Sequence, residues 1–271
     1  MSVEVYPNLM DIHRSFSDTE LGMRLAGQVR FDRYKPDDVS NEQWVKLLGA
    51  NVNNLTHLPL TWGLTKDLVS QFRQQQPDFL DAREEQVLQA AALIHDWAEA
   101  VVGDITYSDK TDEDEAEEKN QLVAILARFD DSSTNGLHEL IDEAAAGVVF
   151  SPESKLGHIF NTVERVGYMR TAIRASKHVI AGDTPDCDAG FRWIVADVFG
   201  NHPSVLVERA EVYKPVGNYL INQLESITQS FGIVYPEVFS NYPLEQQVPK
   251  HDAFYRSHEF WSDWAAIQPA G

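Results

Sequence analysis

Cysteine is nearly absent: Cys187 stands alone, so no disulfide can form within the chain, and a reducing, cytoplasmic location is the expectation. No run of about 18 uncharged apolar residues occurs, so no segment is expected to span a membrane. The opening MSVEVYPNLMDIHRSF lacks the basic-then-apolar order of a secretory signal. Bases are scarce as well, with 22 Lys and Arg against 42 Asp and Glu and a formal charge of −20. Extended nucleic-acid binding needs basic stripes, and none is present, so nucleic acid is not an expected partner. An anionic small molecule would need a local basic pocket. Internal repeats and low-complexity tracts are missing too. Alternating apolar and polar residues are rare; GIVYPEVF comes nearest, and its Pro236 argues against a central strand.

What is present is apolar sequence at helical spacing. Apolar residues make up 43% of 271, enough for a real core in one large domain or two small ones. Periodicity predicts helices over 41–50, 57–75, 82–101, 113–129, 137–148, 153–178, 188–199 and 203–230. The expected fold class is therefore all-α. The acidic run DKTDEDEAEEKN precedes QLVAILARF and reads as a helix start, where acids suit the helix dipole. It lacks the glycine and oxygen spacing of an EF-hand loop. Pro236, Pro243 and Pro249 predict irregular chain, followed by the amphipathic HDAFYRSHEFWSDWAAI. The aromatics beside His251 and His258 suit docking onto the core or covering a homodimer surface. AGDTPDCDAG is the best break, giving a domain over 1–180 and a C-terminal helical extension over 181–271 packed on it.

One apolar stretch carries ionisable groups that need explaining. AALIHDWAEAVVGDI, 91–105, holds His95, Asp96, Glu99 and Asp104. An ionised Asp96 inside a helix this apolar costs several kcal/mol unless it is paired or bound to metal. On a continuous helix His95 and Glu99 share a face, and so do Asp96 and Glu99. A divalent cation between His95 and Asp96 accounts for the pair, and a structural histidine is the plainer alternative. Two ligands hold a metal poorly, so a third is sought upstream. In NNLTHLPLTWGL, His57 opens another helix, with Thr56 as its expected cap and Pro59 in its first turn. Gly103 ends the later helix and turns Asp104 out of it.

These residues resemble the HD-domain metal-dependent phosphohydrolases. HDWAEAVVGD is similar to the HDxAE-x-x-x-GD string of their small 5′-nucleotidase branch, the YfbR-like and HD-domain-containing-protein-2-like proteins. His57 precedes His95 by a spacing normal for that branch, and SPESKLGHIFNTVERVGYM resembles a later family stretch. The resemblance covers about 20–180 and implies an HD-domain helical bundle. It implies a divalent cation (Mn, Co, Mg, Fe or Zn) on His57, His95 and Asp96, with Glu99 and Asp104 moving a proton and orienting the attacking water. The family's last ligand is an aspartate, and the matching position is Asn161, which brings an oxygen but no charge. Three outcomes fit that departure: a site that works with a loosely held metal, one in which Asp142 or Glu143 replaces the lost ligand, or a silent site. Arginines near the N-terminus hold phosphate in the family, which points loosely to Arg24, Arg30 and Arg33; Lys110 and Lys155 are further candidates. His158, three residues before Asn161, can share its face. The implied activity is hydrolysis of nucleoside 5′-monophosphates. A nucleoside triphosphate hydrolase or a non-catalytic binding protein are the alternatives. The expected partner is a small phosphate ester.

Overall fold

A computed structural model describes residues 8–105, 110–129 and 136–223. GIVYPEVF, the three prolines 236, 243 and 249, and the terminal piece with His251 and His258 lie outside them. Among the described residues the regular structure is helical, with no strand and one isolated antiparallel bridge between Val29 and Asn53. The fold class is all-α, as the periodicity predicts. The helices are α1 (Met10–Ser17), α2 (Glu20–Gly27), α3 (Asn41–Leu48), α4 (Asn54–Gln75), α5 (Ala82–Ile94), α6 (Glu99–Val102), α7 (Asp112–Leu126), α8 (His138–Ala144), α9 (Lys155–Ala181), α10 (Asp188–Asn201), α11 (Pro203–Val212) and α12 (Lys214–Gln223). A π-helical turn, Ala145–Val149, follows α8.

Side-chain caps set several starts. Ser40 and Gln43 cap α3 reciprocally, as do Asp81 and Glu84 for α5 and Thr111 and Asp114 for α7, each worth about 1 kcal/mol. Four acids of the run, Asp112, Glu113, Asp114 and Glu115, form the first turn of α7. Helices α1 and α2 lie outside the stretches the periodicity predicts. The helix predicted over 203–230 is broken at Tyr213, which is extended at φ −121° and ψ 98°. Pro215 has no N–H to give the carbonyl of Glu211 and its ring would strike it, so α11 cannot run on.

The described residues cluster into two compact units. One lies within Met1–Arg30 and Ala50–Val163, the other within Phe31–Gly49 and Glu164–Gly271. In the first, α4 packs on α5, α5 on α8, and α1 and α2 reach α4, α5 and α6. Its largest anchor is Trp97, fully buried, stacked on Phe16 with ring centres 4.3 Å apart and tilted against Phe129 at 5.0 Å. In the second, Trp44 of α3 stacks on Phe191 of α10 at 5.5 Å. Gly190 lets α10 meet the Tyr34 carbonyl, where a Cβ would collide. Buried Arg165 lies 2.7 Å from His202 Nδ1, and burial, then the Arg165 charge, pushes that imidazole well below its usual 6.5. Cys187 is buried just before α10; burial, then Asp186 and Asp38, pushes its thiol up.

Candidate metal centre

Three chain segments of the first unit deliver the polar cluster. The start of α4 brings His57. Its cap is Asn53, not Thr56: the Asn53 side chain accepts the Thr56 N–H at 3.1 Å, and the Thr56 hydroxyl donates to the Ala50 carbonyl at 2.6 Å. The helix therefore starts earlier than expected, and Pro59 falls inside it, leaving the Leu55 carbonyl without its usual donor.

The end of α5 brings His95 and Asp96. A single helix over 82–101 was expected; α5 stops at Ile94 and α6 resumes at Glu99. Between them the bonds close on the third residue back, Trp97 N–H to Ile94 at 3.0 Å and Glu99 N–H to Asp96 at 3.1 Å. Such a tightened turn eclipses residues three apart, so Asp96 and Glu99 face one way while Trp97 fills the core. Gly103, at φ +86°, then takes the chain out of α6 toward Asp104.

The third segment ends at Arg30. Its backbone N–H reaches the Val52 carbonyl at 2.7 Å, and its buried guanidinium lies 2.5 Å from Asp96 Oδ2.

The ligand atoms converge. His95 Nε2 and His57 Nε2 are 3.2 Å apart, and Asp96 Oδ2 lies 3.3 Å from the first and 3.6 Å from the second. Among the described His, Cys, Asp and Glu residues, these three offer one ligand atom each, all within 4.8 Å of one another. Two imidazole nitrogens and a carboxylate oxygen, buried and mutually facing, are the donor set of a divalent cation, so the residues fit one. The groups around them fix their orientation. Asn51 Oδ1 sits 2.9 Å from His57 Nδ1, the Thr61 hydroxyl 3.1 Å from His57 Nε2, and the Phe160 ring meets His95 edge-on at 5.2 Å.

Charge divides the two carboxyls. Burial pushes Asp96 up, but its neighbours His95, Arg30 and His57 outweigh burial and hold the group well below the carboxylate range. Burial, then Asp96 and Asp104, pushes Glu99 well above 4.5. Burial, then Arg30, keeps His57 far below 6.5 and hence neutral, as a ligand must be. Asn54, fully buried, donates to Glu99 Oε2 at 2.5 Å, and its own Oδ1 has no hydrogen-bond partner. Lys110 pairs with Glu118 at 2.6 Å, and its charge is felt by Asp96 and Glu99.

Other candidates from the sequence sit elsewhere. Arg24 is exposed and paired with Glu20 at 2.6 Å. Arg33 is exposed and belongs to the second unit. Lys155 pairs with Glu84, and His158 with Glu153 at 3.2 Å. Glu143 is held by Arg83 at 2.8 Å and Asp142 faces His138 at 3.5 Å, so neither joins the cluster as a replacement ligand. Asn161 is half-buried on α9, next to Phe160. Sequence reasoning passed over Asn51, Asn54 and Thr61. The signal was present in NVNN, three asparagines in four residues just ahead of His57.

Residues 75–178 match the family model described as HD domain. The match contains His95 and Asp96 and begins after His57. No curated protein and no solved structure matches the chain. The match spans less than half of the chain, and the His–His–Asp cluster in and just ahead of it could hold a divalent metal.

Proposed function

We propose that the chain is a metal-dependent phosphohydrolase that cleaves nucleoside 5′-monophosphates to nucleoside and inorganic phosphate. The observation that carries the reading is the convergence of His57, His95 and Asp96 beside a buried carboxyl, Glu99, that keeps its proton beyond the ordinary range. His57, His95 and Asp96 would hold the cation, with the Asn161 oxygen as a neutral fourth ligand. Such a cation, when bound, supplies Lewis-acid polarisation of phosphoryl and water oxygens.

The chain's own groups do the rest. Glu99 gives its proton to the leaving alkoxide oxygen, or takes one from the attacking water once ionised. Asp104 orients that water. Arg30 and Lys110 bring the positive charge that a phosphate dianion needs in a chain otherwise short of it. The partner is a small-molecule phosphate ester, and the formal net charge of −20 opposes long polyanions.

A second reading, a binding or regulatory protein with a retired site, is favoured by Asn161 and by the Arg30 guanidinium engaging Asp96. One set of measurements separates the two. The purified chain is analysed for metal, and phosphate release is assayed on a nucleotide panel with Mn²⁺, Co²⁺ or Mg²⁺. Release from monophosphates, abolished by Asp96→Ala, supports the enzyme. No release with any metal and no metal uptake supports the binding protein. Asn161→Asp should tighten metal binding if the site is intact but weakened.

A further inference from the structure

We propose that Asn51 is a positioning residue for His57: its side-chain oxygen takes the Nδ1 proton and leaves the Nε2 lone pair facing His95 and Asp96. The inference rests on the metal reading above and assigns a residue that nothing in the motif names.

The argument starts from what each atom can do. An amide oxygen only accepts, so the 2.9 Å approach of Asn51 Oδ1 to His57 Nδ1 is a hydrogen bond only when Nδ1 carries the proton. A neutral imidazole has one proton, so Nε2 is then bare. Nε2 is the atom that lies 3.2 Å from His95 Nε2 and 3.6 Å from Asp96 Oδ2. The opposite tautomer would aim an N–H into the cluster and leave His57 no lone pair there for a cation.

Asn51 is also held in place before any ligand arrives. It sits in the 3₁₀ turn Ala50–Val52. That turn is tied down at both ends: the Ala50 carbonyl accepts from Thr56 at 2.6 Å, and the Val52 carbonyl accepts from the Arg30 N–H at 2.7 Å. Just beyond, the Asn54 N–H reaches the Gln28 carbonyl at 3.3 Å. A side chain carried on so constrained a backbone fixes its partner's ring with little further ordering cost.

Mn²⁺ titration of the full chain by calorimetry tests this. Asn51→Leu should weaken Mn²⁺ binding about 10- to 100-fold, the usual cost of losing such a partner. Asn51→Asp keeps an acceptor at the same place and should bind Mn²⁺ at least as tightly as the unaltered chain; a purely structural role predicts no such rescue. Should Asn51→Leu fail to fold, the Asp variant and the unaltered chain still decide. Nitrogen-15 NMR of the unaltered chain with Zn²⁺ should find the His57 proton on Nδ1. Equal Mn²⁺ affinity for Asn51→Leu, or a loss in Asn51→Asp as large as in Asn51→Leu, overturns the proposal and leaves the metal reading standing; a His57 proton on Nε2 overturns the proposal and removes His57 from the ligand set. Absence of Mn²⁺ uptake by the unaltered chain overturns the metal reading and this inference with it.

Discussion

Glu99 is buried, repelled by Asp96 and Asp104, and steadied by the Asn54 amide at 2.5 Å. Its removal should separate chemistry from architecture. Glutamine at this position keeps an oxygen for the Asn54 donor while giving up the titrating proton. Glu99→Gln should therefore cost about 10²- to 10⁴-fold in kcat, the usual worth of a general acid or base, with metal uptake unchanged. Its melting temperature at neutral pH should not fall, since a buried group prone to ionise is replaced by a neutral one. Phosphate release, calorimetric metal titration and thermal unfolding check the three parts. At this scale the sequence was partly legible. His95 and Asp96 stood out because ionisable side chains interrupt an apolar run, and His57 because it opens a helix at a familiar distance. Asn51 and Asn54 did not, since an amide carries no charge and obeys no period. Arg24 and Arg30 looked alike in one basic stretch; only the fold separates the surface pair with Glu20 from the buried contact with Asp96.

Among the elements, the break between α5 and α6 matters most to the site, and periodicity was blind to it. His95 and Ala98 keep right-handed helical angles, φ −56°, ψ −36° and φ −62°, ψ −30°, so the apolar pattern runs through the turn almost undisturbed. What changes is the bonding step, from four residues to three, and with it the direction of each side chain. Trp97 holds that turn by its stacking on Phe16 and Phe129. Trp97→Ala should cost about 3–5 kcal/mol through the cavity it leaves. It should also weaken metal binding although Trp97 is not one of the ligands, because the turn that presents His95 and Asp96 loses its anchor. Urea unfolding and metal titration of the same sample check both. The capped starts of α3, α5 and α7 were legible in outline, since Ser, Asp or Thr followed three residues on by Gln, Glu or Asp is a local code. The end of α11 was written there too, in Pro215, but apolar spacing on both sides of it masked the stop.

For the whole molecule, acid sensitivity follows from histidines that the fold keeps neutral. His57 and His202 both have folded pKa values well below 6.5, so below that pH the unfolded chain takes up protons that the folded chain refuses. Their stabilisation is complete above 6.5 and shrinks as pH falls, by up to about 1.4 kcal/mol per pH unit for each. Glu99 works the other way, because its raised pKa makes the folded chain the better proton binder between its folded value and 4.5. His13 is lowered like His57 and His202, and Glu118 is raised like Glu99, so three histidines against two carboxyls leave a net loss on acidification. The melting temperature should drop from pH 7.5 to 5.5, less steeply in His202→Gln and more steeply in Glu99→Gln, as scanning calorimetry across that range would show. Cys187 adds a consequence of another kind. A single sulfhydryl walled in beside α10 is a built-in reporter. An aromatic disulfide reagent should modify native chain slowly, and the rate should climb with sub-denaturing urea as that wall breathes. Stoichiometric labelling within the mixing time would mean the wall is not there.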